Sequence, residues 1–302
     1  MGLRVLEPGL YSLLVGRGRV GSRHLGVGVG GPADAAACAL GNALVGNRAE
    51  ALAVEVALLG PTLRAEAPVA GVVFGAPFEL SSSLGQPLEV GRTFNLAIGE
   101  CLKIRGTPGG CRAYLCVAGG FAGREFLGSE SALEPIRRGD ALECRPSFLW
   151  PRYPGSVVTI GAGDLRVLPG VQSEWFDSAP FFDQTYTVAD ASDRMGLRLK
   201  GVRLVRPPRE LVSEPVAPGT VQITNDGLPV ILGVDGQTIG GYPKIAHVIR
   251  ADLDALGQLR PGDRVRFVGV SPAQAAEAHS AARAALRRRL ALWRAGACVE
   301  FR

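Results

Sequence analysis

The chain has 302 residues, of which 47% are apolar, 41 are glycine and 21 are proline. Such a composition is too apolar for a disordered chain and too rich in turn-formers for a helical bundle, and the length suits two domains or one large one. The net charge of +5 is spread among interleaved acids and bases; no basic stripe with interleaved aromatics appears, so nucleic-acid binding is not indicated.

The N-terminal stretch "MGLRVLEPGLYSLL" lacks the uninterrupted apolar core of a signal peptide. No run approaches the ~18 residues of a membrane span, so a cytoplasmic protein without membrane attachment is expected. Two G-x-G-x-x-G matches follow, Gly16-Gly18-Gly21 and Gly26-Gly28-Gly31. A dinucleotide fold needs a strand before the glycines, a helix after them and a parallel sheet around them. The first match has no following helix, the second has no clear preceding strand, and the chain does not alternate strand and helix. What survives is a glycine segment opening onto a helix start, whose backbone N–H groups can bind a carboxylate or phosphate. That helix is expected over Pro32–Leu44, with Pro32 at its start and Asp34 in its first turn.

Short apolar runs punctuated by Gly, Pro and Asp then recur: "GVVFG", "TFNLAIG", "CLKIRG", "RAYLCVAGG", "GSVVTIGAG", "LRVLPG", "PVILGVDG" and "DRVRFVGV". Their length and punctuation are those of strands, so the chain reads as mainly β with a few helices. "RRGDALECRP" (Arg137–Pro146) and "LRPGDRVRFVGV" (Leu259–Val270) each place an Arg and a Gly-Asp turn before an alternating strand. With the proline-rich "RPSFLWPRYPGS" between them, two β-barrel-like halves are expected, 1–150 and 151–302. The six cysteines form no C-x-x-C pair and have no histidines at zinc spacing, so they read as small buried hydrophobes and no metal site is expected.

"ASDRMGLRLKG" (Ala191–Gly201) gathers charges that suit either a solvated hairpin or a pair of guanidinium forks for an anion. "QTIGGYPKIAHVI" (Gln237–Ile249) holds one of only three lysines, against thirty arginines. None of the three lysines sits in a G-K-[ST] phosphate loop or in the Met-Lys-Met setting of a biotin carrier, so covalently bound biotin is not expected. His24, His247 and His279 leave a Ser-His-Asp triad open. Ser271, Pro272 and Gln274 then form a capping box that opens a helix expected over about 272–295.

Taken together, "GRVGSRHLGVGVGGPADAAACALGNALVGN", "CRAYLCVAGGF", "SDRMGLRLKG", "SEPVAPGTVQITNDGLPVIL" and "DGQTIGGYPKIAHVIRADLDALGQLRPGDRVRF" resemble the carboxyltransferase-like family that holds allophanate hydrolase subunit 2, KipA and the C subunit of 5-oxoprolinase. The resemblance runs from about Gly18 to Phe267. It implies tandem cyclophilin-like β-barrel units. The chain departs from the family at Gly28, Glu130, Ala132, Val171 and Ile239, and Glu130 reverses a charge.

The resemblance further implies ATP-dependent opening of 5-oxoproline to glutamate, with ATP and magnesium. The expected partners are the B (KipI-like) and A (LamB/YcsF-like) subunits of 5-oxoprolinase. A KipA-like regulatory role and a biotin-dependent carboxyltransferase of the urea amidolyase type are the alternatives. On the first reading a phosphorylated ring oxygen needs nearby cations and donors. Lys244, Arg194 and Arg198 are the candidate cations, and Gln237, Thr238 and Tyr242 the orienting donors. Gly240 and Gly241 would let backbone approach, while Asp193 and Asp235 are candidate base or magnesium-side carboxylates. Arg23, His24 and Asp34 are the early binding candidates.

Overall fold

The computed structural model describes residues 2–153 and 163–294. The described residues form two compact units: those within Met1–Gly18, Asp34–Ile160 and Leu286–Arg302, and those within Arg19–Ala33 and Gly161–Ala285. The glycine segment thus belongs with the second unit and the end of the C-terminal helix with the first. A cut between residues 150 and 151 would separate both from the units they pack in.

The first unit opens with β1 (Gly2–Glu7), β2 (Tyr11–Val15), α1 (Ala35–Leu44), β3 (Ala53–Ala57), β4 (Thr62–Ala65) and β5 (Val69–Gly75). It continues with β6 (Leu80–Ser82), β7 (Phe94–Leu96), β8 (Cys101–Ile104), β9 (Arg112–Val117) and β10 (Ala141–Glu143). These make two antiparallel sheets, ordered β10-β1-β4-β8-β6 and β2-β3-β9-β5-β7. Leu3, Val5, Leu63, Leu102 and Ile104 from one meet Val54, Val56, Val73 and Leu115 from the other in one core. The far face of the second sheet is covered by α1, where Leu40 and Leu44 pack on Val72, Phe74 and Tyr114. Burial on both faces explains why β5 and β9 read as continuous apolar runs rather than alternating ones. Trp293, near the end of the C-terminal helix, joins this second cluster edge-on to Phe74 at 5.6 Å.

In the second unit β11 (Leu165–Pro169), α2 (Ser178–Phe182), β12 (Tyr186–Val188), β13 (Gly196–Lys200) and β14 (Glu214–Pro215) come first. Next are β15 (Thr220–Ile223), β16 (Pro229–Leu232), β17 (Ile239–Gly240), β18 (Lys244–Val248), α3 (Leu253–Leu256), β19 (Arg264–Val265) and β20 (Phe267–Gly269). One sheet of eight strands runs β19-β12-β13-β16-β15-β18-β11-β20. Its two edge strands are consecutive in the chain, flanking Arg266, so the sheet curls into a nearly closed barrel around Tyr186, Leu199, Val221, Ile231 and Phe267. Pairing is antiparallel except between β11 and β20, the opposite of what a dinucleotide fold requires.

The two Gly-Asp segments fold alike. In the first unit Arg137 N donates to Asp140 Oδ2 at 2.7 Å, Gly139 N to Val5 O and Val5 N to Asp140 O. In the second, Arg260 N donates to Asp263 Oδ2 at 3.0 Å, Gly262 N to Val188 O and Val188 N to Asp263 O. Each turn therefore delivers its strand, β10 or β19, beside the first-paired strand, β1 or β12. The repeat expected from sequence is present as one turn built twice.

Helix α1 begins later than expected. Asp34 is its N-cap, with Oδ1 accepting from Ala37 N at 2.9 Å, and Pro32 lies outside the helix. The C-terminal helix, α4 (Pro272–Arg294), starts on its capping box: Ser271 N donates to Gln274 Oε1 and Gln274 N to Ser271 Oγ. The cysteines at 38, 101, 111, 116 and 144 are free thiols, four of them buried. The expected strand "GSVVTIGAG" and Cys298 lie outside the described residues.

Candidate functional site in the second unit

Most of the candidate residues sit on turns and loops of the second unit, and the turns explain their positions. Asp193 Oδ1 accepts from Met195 N at 2.8 Å and Gly196 N at 3.1 Å, a side-chain-closed turn that reverses the chain into β13. Arg194 points inward. Its Nε donates to Asp235 Oδ2 at 2.6 Å, and its Nη2 donates to Asp235 Oδ1 at 3.1 Å and to Gly31 O at 2.8 Å. Backbone bonds from Asp235 N to Arg194 O and from Gly233 N to Met195 O join the two turns. Arg198 takes no part: it stands exposed on β13 between buried Leu197 and Leu199.

The glycine segment is fastened to the same place. Arg19 N donates to Val29 O, and Gly30 N donates to Val234 O at 2.9 Å. Gly30 has φ +64°, and a Cβ there would lie 2.8 Å from Arg19 Nη1, so a side chain would strain the backbone and have to displace the Arg19 guanidinium. Within the segment Arg23–Leu25 form a single 3-10 turn, and His24 Nδ1 bonds Gly21 O at 2.8 Å in full exposure. Arg23 is different: its Nη1 and Nη2 are buried and have no hydrogen-bond partner among the described residues.

The Gln237–Lys244 stretch begins two residues after Asp235. Gln237 and Tyr242 are exposed, while Thr238 is buried and its carbonyl accepts from Val216 N. Strands β17 and β14 pair as a two-stranded ribbon, placing Gly240 opposite Glu214. A Cβ on Gly240 would come within 2.7 Å of Gln222 Nε2, which donates to Tyr242 O. Gly241 is less confined, with Ser213 Oγ 3.4 Å from its would-be Cβ.

Lys244 is not a surface cation. It is 3% exposed, and its ammonium donates to Glu214, which also accepts from Gln172 Nε2 at 3.2 Å. Gln172 Oε1 in turn accepts from Lys244 N. Hydrogen bonding by Lys244, then by Gln172, holds the Glu214 carboxyl below the usual range. Burial, then the Lys244 charge, push the half-buried His247 below the ordinary histidine value. Its Nδ1 lies 3.3 Å from Thr220 Oγ1, and the described contacts of His24 and His247 include no carboxylate, so neither assembles a triad.

The structure thus unites Arg194, Asp235 and the glycine segment carrying Arg23 and His24 in one unit. It puts Lys244 in a separate network with Glu214 and Gln172, neither of which stands out in the sequence. Asp34 is accounted for by folding: it caps α1 in the first unit, and its N–H donates to Tyr114 Oη at 2.7 Å. Asp193 and Asp235 are engaged by turn N–H groups and by Arg194. Among the described residues no group of three or more His, Cys, Asp and Glu could hold a metal ion. Two concavities, 490 Å³ around Arg48, Arg152 and Arg294 and 350 Å³ around Phe176, Phe181 and Ile245, are lined by none of the candidate residues. No helix among the described residues is long and apolar enough to cross a membrane.

Residues 25–269 match the family model for the carboxyltransferase domain, subdomain A and B. The protein named as the C subunit of 5-oxoprolinase in Haemophilus influenzae is 34% identical over 275 residues, 86% of this chain and 88% of that protein. The protein of the same name from Escherichia coli K12 is 33% identical, over 91% of this chain and 94% of its own. A putative urea carboxylase of Emericella nidulans is 30% identical over 88% of this chain but 24% of that protein. Among solved structures, TTHA0988 superposes with TM-score 0.80 and 36% identity, covering 88% of this chain and 55% of that one. The Kluyveromyces lactis urea carboxylase reaches TM-score 0.84 at 25% identity over 100% of this chain and 30% of that one. The chain therefore spans little more than half the length of TTHA0988 and under a third of the urea carboxylase.

Proposed function

The chain belongs to the carboxyltransferase domain family, subdomain A and B, and from that membership we propose that it is the C subunit of an ATP-dependent 5-oxoprolinase. In this reading it opens 5-oxoproline to glutamate together with two partners, one LamB/YcsF-like and one KipI-like. One observation carries the proposal: the chain and the two relatives named for that subunit cover each other almost end to end, by 86% and 88% in one case and 91% and 94% in the other. The urea carboxylase and urea amidolyase relatives are matched over 24% or less of their own length.

The cyclic amide is unstrained and weakly electrophilic, so phosphorylation of its oxygen by ATP before hydrolysis is the economical route. Magnesium and ATP would supply the phosphoryl group and its charge neutralisation in the assembled enzyme, and no step is assigned to them on this chain. The chain's own contribution is recognition and orientation. Arg194 and Asp235 fix the turn at 233–236, and the stretch after it presents exposed Gln237 and Tyr242 as donors to a small polar substrate. A biotin-dependent carboxyltransferase is the second reading, favoured by the fold match to urea carboxylase over the whole chain.

The test is ATP-dependent glutamate formation from 5-oxoproline, assayed for this chain alone, with the KipI-like partner, and with both partners. Turnover is expected in the full mixture alone. Turnover by the isolated chain refutes the shared site, and none in the full mixture refutes the 5-oxoprolinase reading.

A further inference from the structure

Several guanidinium groups in this protein meet a carboxylate. Arg112 meets Glu55, Arg166 meets Asp252, Arg194 meets Asp235 and Arg266 meets Asp164. Arg23 breaks the pattern, because both of its terminal nitrogens are shielded from solvent and neither has a partner among the described residues. A cation withdrawn from water without a counter-charge or hydrogen bond is costly, and sites of this kind persist where something outside the chain supplies the missing group. We propose that Arg23 is the seat of a small-molecule carboxylate.

The class of ligand follows from the donor. A guanidinium offers two parallel N–H groups in a planar fork that matches the two oxygens of a carboxylate, and its single charge balances a monoanion. The acids of the adjoining turns cannot fill the place: Asp235 is held by Arg194 in two bonds, and Asp193 by the N–H groups of Met195 and Gly196. The backbone that carries Arg23 is set before any ligand arrives. It is closed by Arg19 N to Val29 O and fixed by Gly30 N to Val234 O and Arg194 to Gly31 O. Such preorganisation lowers the ordering cost of binding. Gly21 and Gly26, on either side of the 3-10 turn, are exposed, and a Cβ at either would meet nothing within 4 Å. Nothing here requires the partner proteins; the choice of 5-oxoproline as one probe rests on the reading above, and acetate as the other does not.

The experiment titrates the purified full chain with acetate, L-5-oxoproline and inorganic phosphate at constant ionic strength, by calorimetry and by melting temperature, for wild type, Arg23→Met and Arg23→Lys. Saturable carboxylate binding is expected in wild type. It should weaken by about 10–100-fold in Arg23→Met, the loss that follows from removing a charged hydrogen bond, and by less in Arg23→Lys. Without added anion, Arg23→Met should melt no lower than wild type, since it removes an uncompensated buried charge. Should that variant fail to fold, protection of Arg23 in the wild type from phenylglyoxal by acetate, mapped by mass spectrometry, gives the same answer. No saturable binding of either carboxylate, undiminished binding in Arg23→Met, or binding of phosphate in their place overturns the proposal. Acetate binding without 5-oxoproline binding leaves Arg23 as a carboxylate seat and counts against the 5-oxoprolinase reading instead.

Discussion

Asp235 reads from sequence as a candidate general base, and its geometry makes a different and sharper prediction. The Arg194 side chain is 5% exposed and that of Asp235 32%, so the two partners should respond unequally to removal. Asp235→Ala strands a buried guanidinium with a large part of its charge compensation gone. Breaking a buried pair this way costs about 3–5 kcal/mol, and the partial exposure of Asp235 places the value near the lower end, about 3 kcal/mol. At about 2–4 °C per kcal/mol for units of this size, the melting temperature should fall by about 6–12 °C. Arg194→Met leaves Asp235 free to rehydrate and fills the same space with an apolar chain, so its cost should be about 1–2 kcal/mol. The double variant should resemble Arg194→Met and be more stable than Asp235→Ala alone, the signature of coupled neighbours. Hydrogen exchange should show faster exchange at the Gly30 amide in the two variants that lack Arg194, because Arg194 no longer ties Gly31 to the turn that accepts from Gly30. An Asp235→Ala protein that melts within a degree of wild type, or effects that simply add, would refute this reasoning.

Two further outcomes follow. The Glu214 carboxyl is held low by Lys244, so its contribution is fully present above the unfolded value of about 4.3 and is lost as pH falls through the lower folded value. Lys244→Met should therefore flatten the acid limb of stability below about pH 4.3 in urea titrations, and an unchanged limb would mean that the pair contributes nothing. Gly240→Ala should cost about 1–3 kcal/mol by overpacking, because its Cβ would press on Gln222, which is 1% exposed. Thermal melts should show that loss relieved in a Gln222→Ala background, and a neutral Gly240→Ala would show that the ribbon yields.

What can be read from sequence is local. The runs "VAGVVFG" and "RAYLCV" are legible as doubly buried strands because apolar continuity over that length has few other solutions. The Ser271 capping box is legible because cap, proline and glutamine lie within four residues. Contacts are not legible where the deciding partner is remote. The burial of Lys244 is not legible because Glu214, thirty residues earlier, and Gln172, seventy-two earlier, announce nothing by spacing. Asp34 looks like a binding residue because a cap and a first-turn acid differ by one residue of helix start. The docking of Arg19–Ala33 in the second unit rests on Val234 and Arg194, which no local pattern links to the glycines.

The paired turns at Asp140 and Asp263 carry the same distinction into chemistry. In each, the carboxylate that a motif search would offer as an acid or base accepts the N–H of the arginine three residues before it, and the glycine between them sits at φ +90° to permit the closure. Asp193 does the same for Met195 and Gly196. An aspartate beside a glycine turn in this chain is thus an acceptor for backbone, and its charge is engaged before any substrate arrives. Arg194 with Asp235 and Lys244 with Glu214 are engaged in the same manner, on each other. What is left unengaged in this part of the unit is the exposed amide of Gln237, the exposed phenol of Tyr242 and the terminal nitrogens of Arg23.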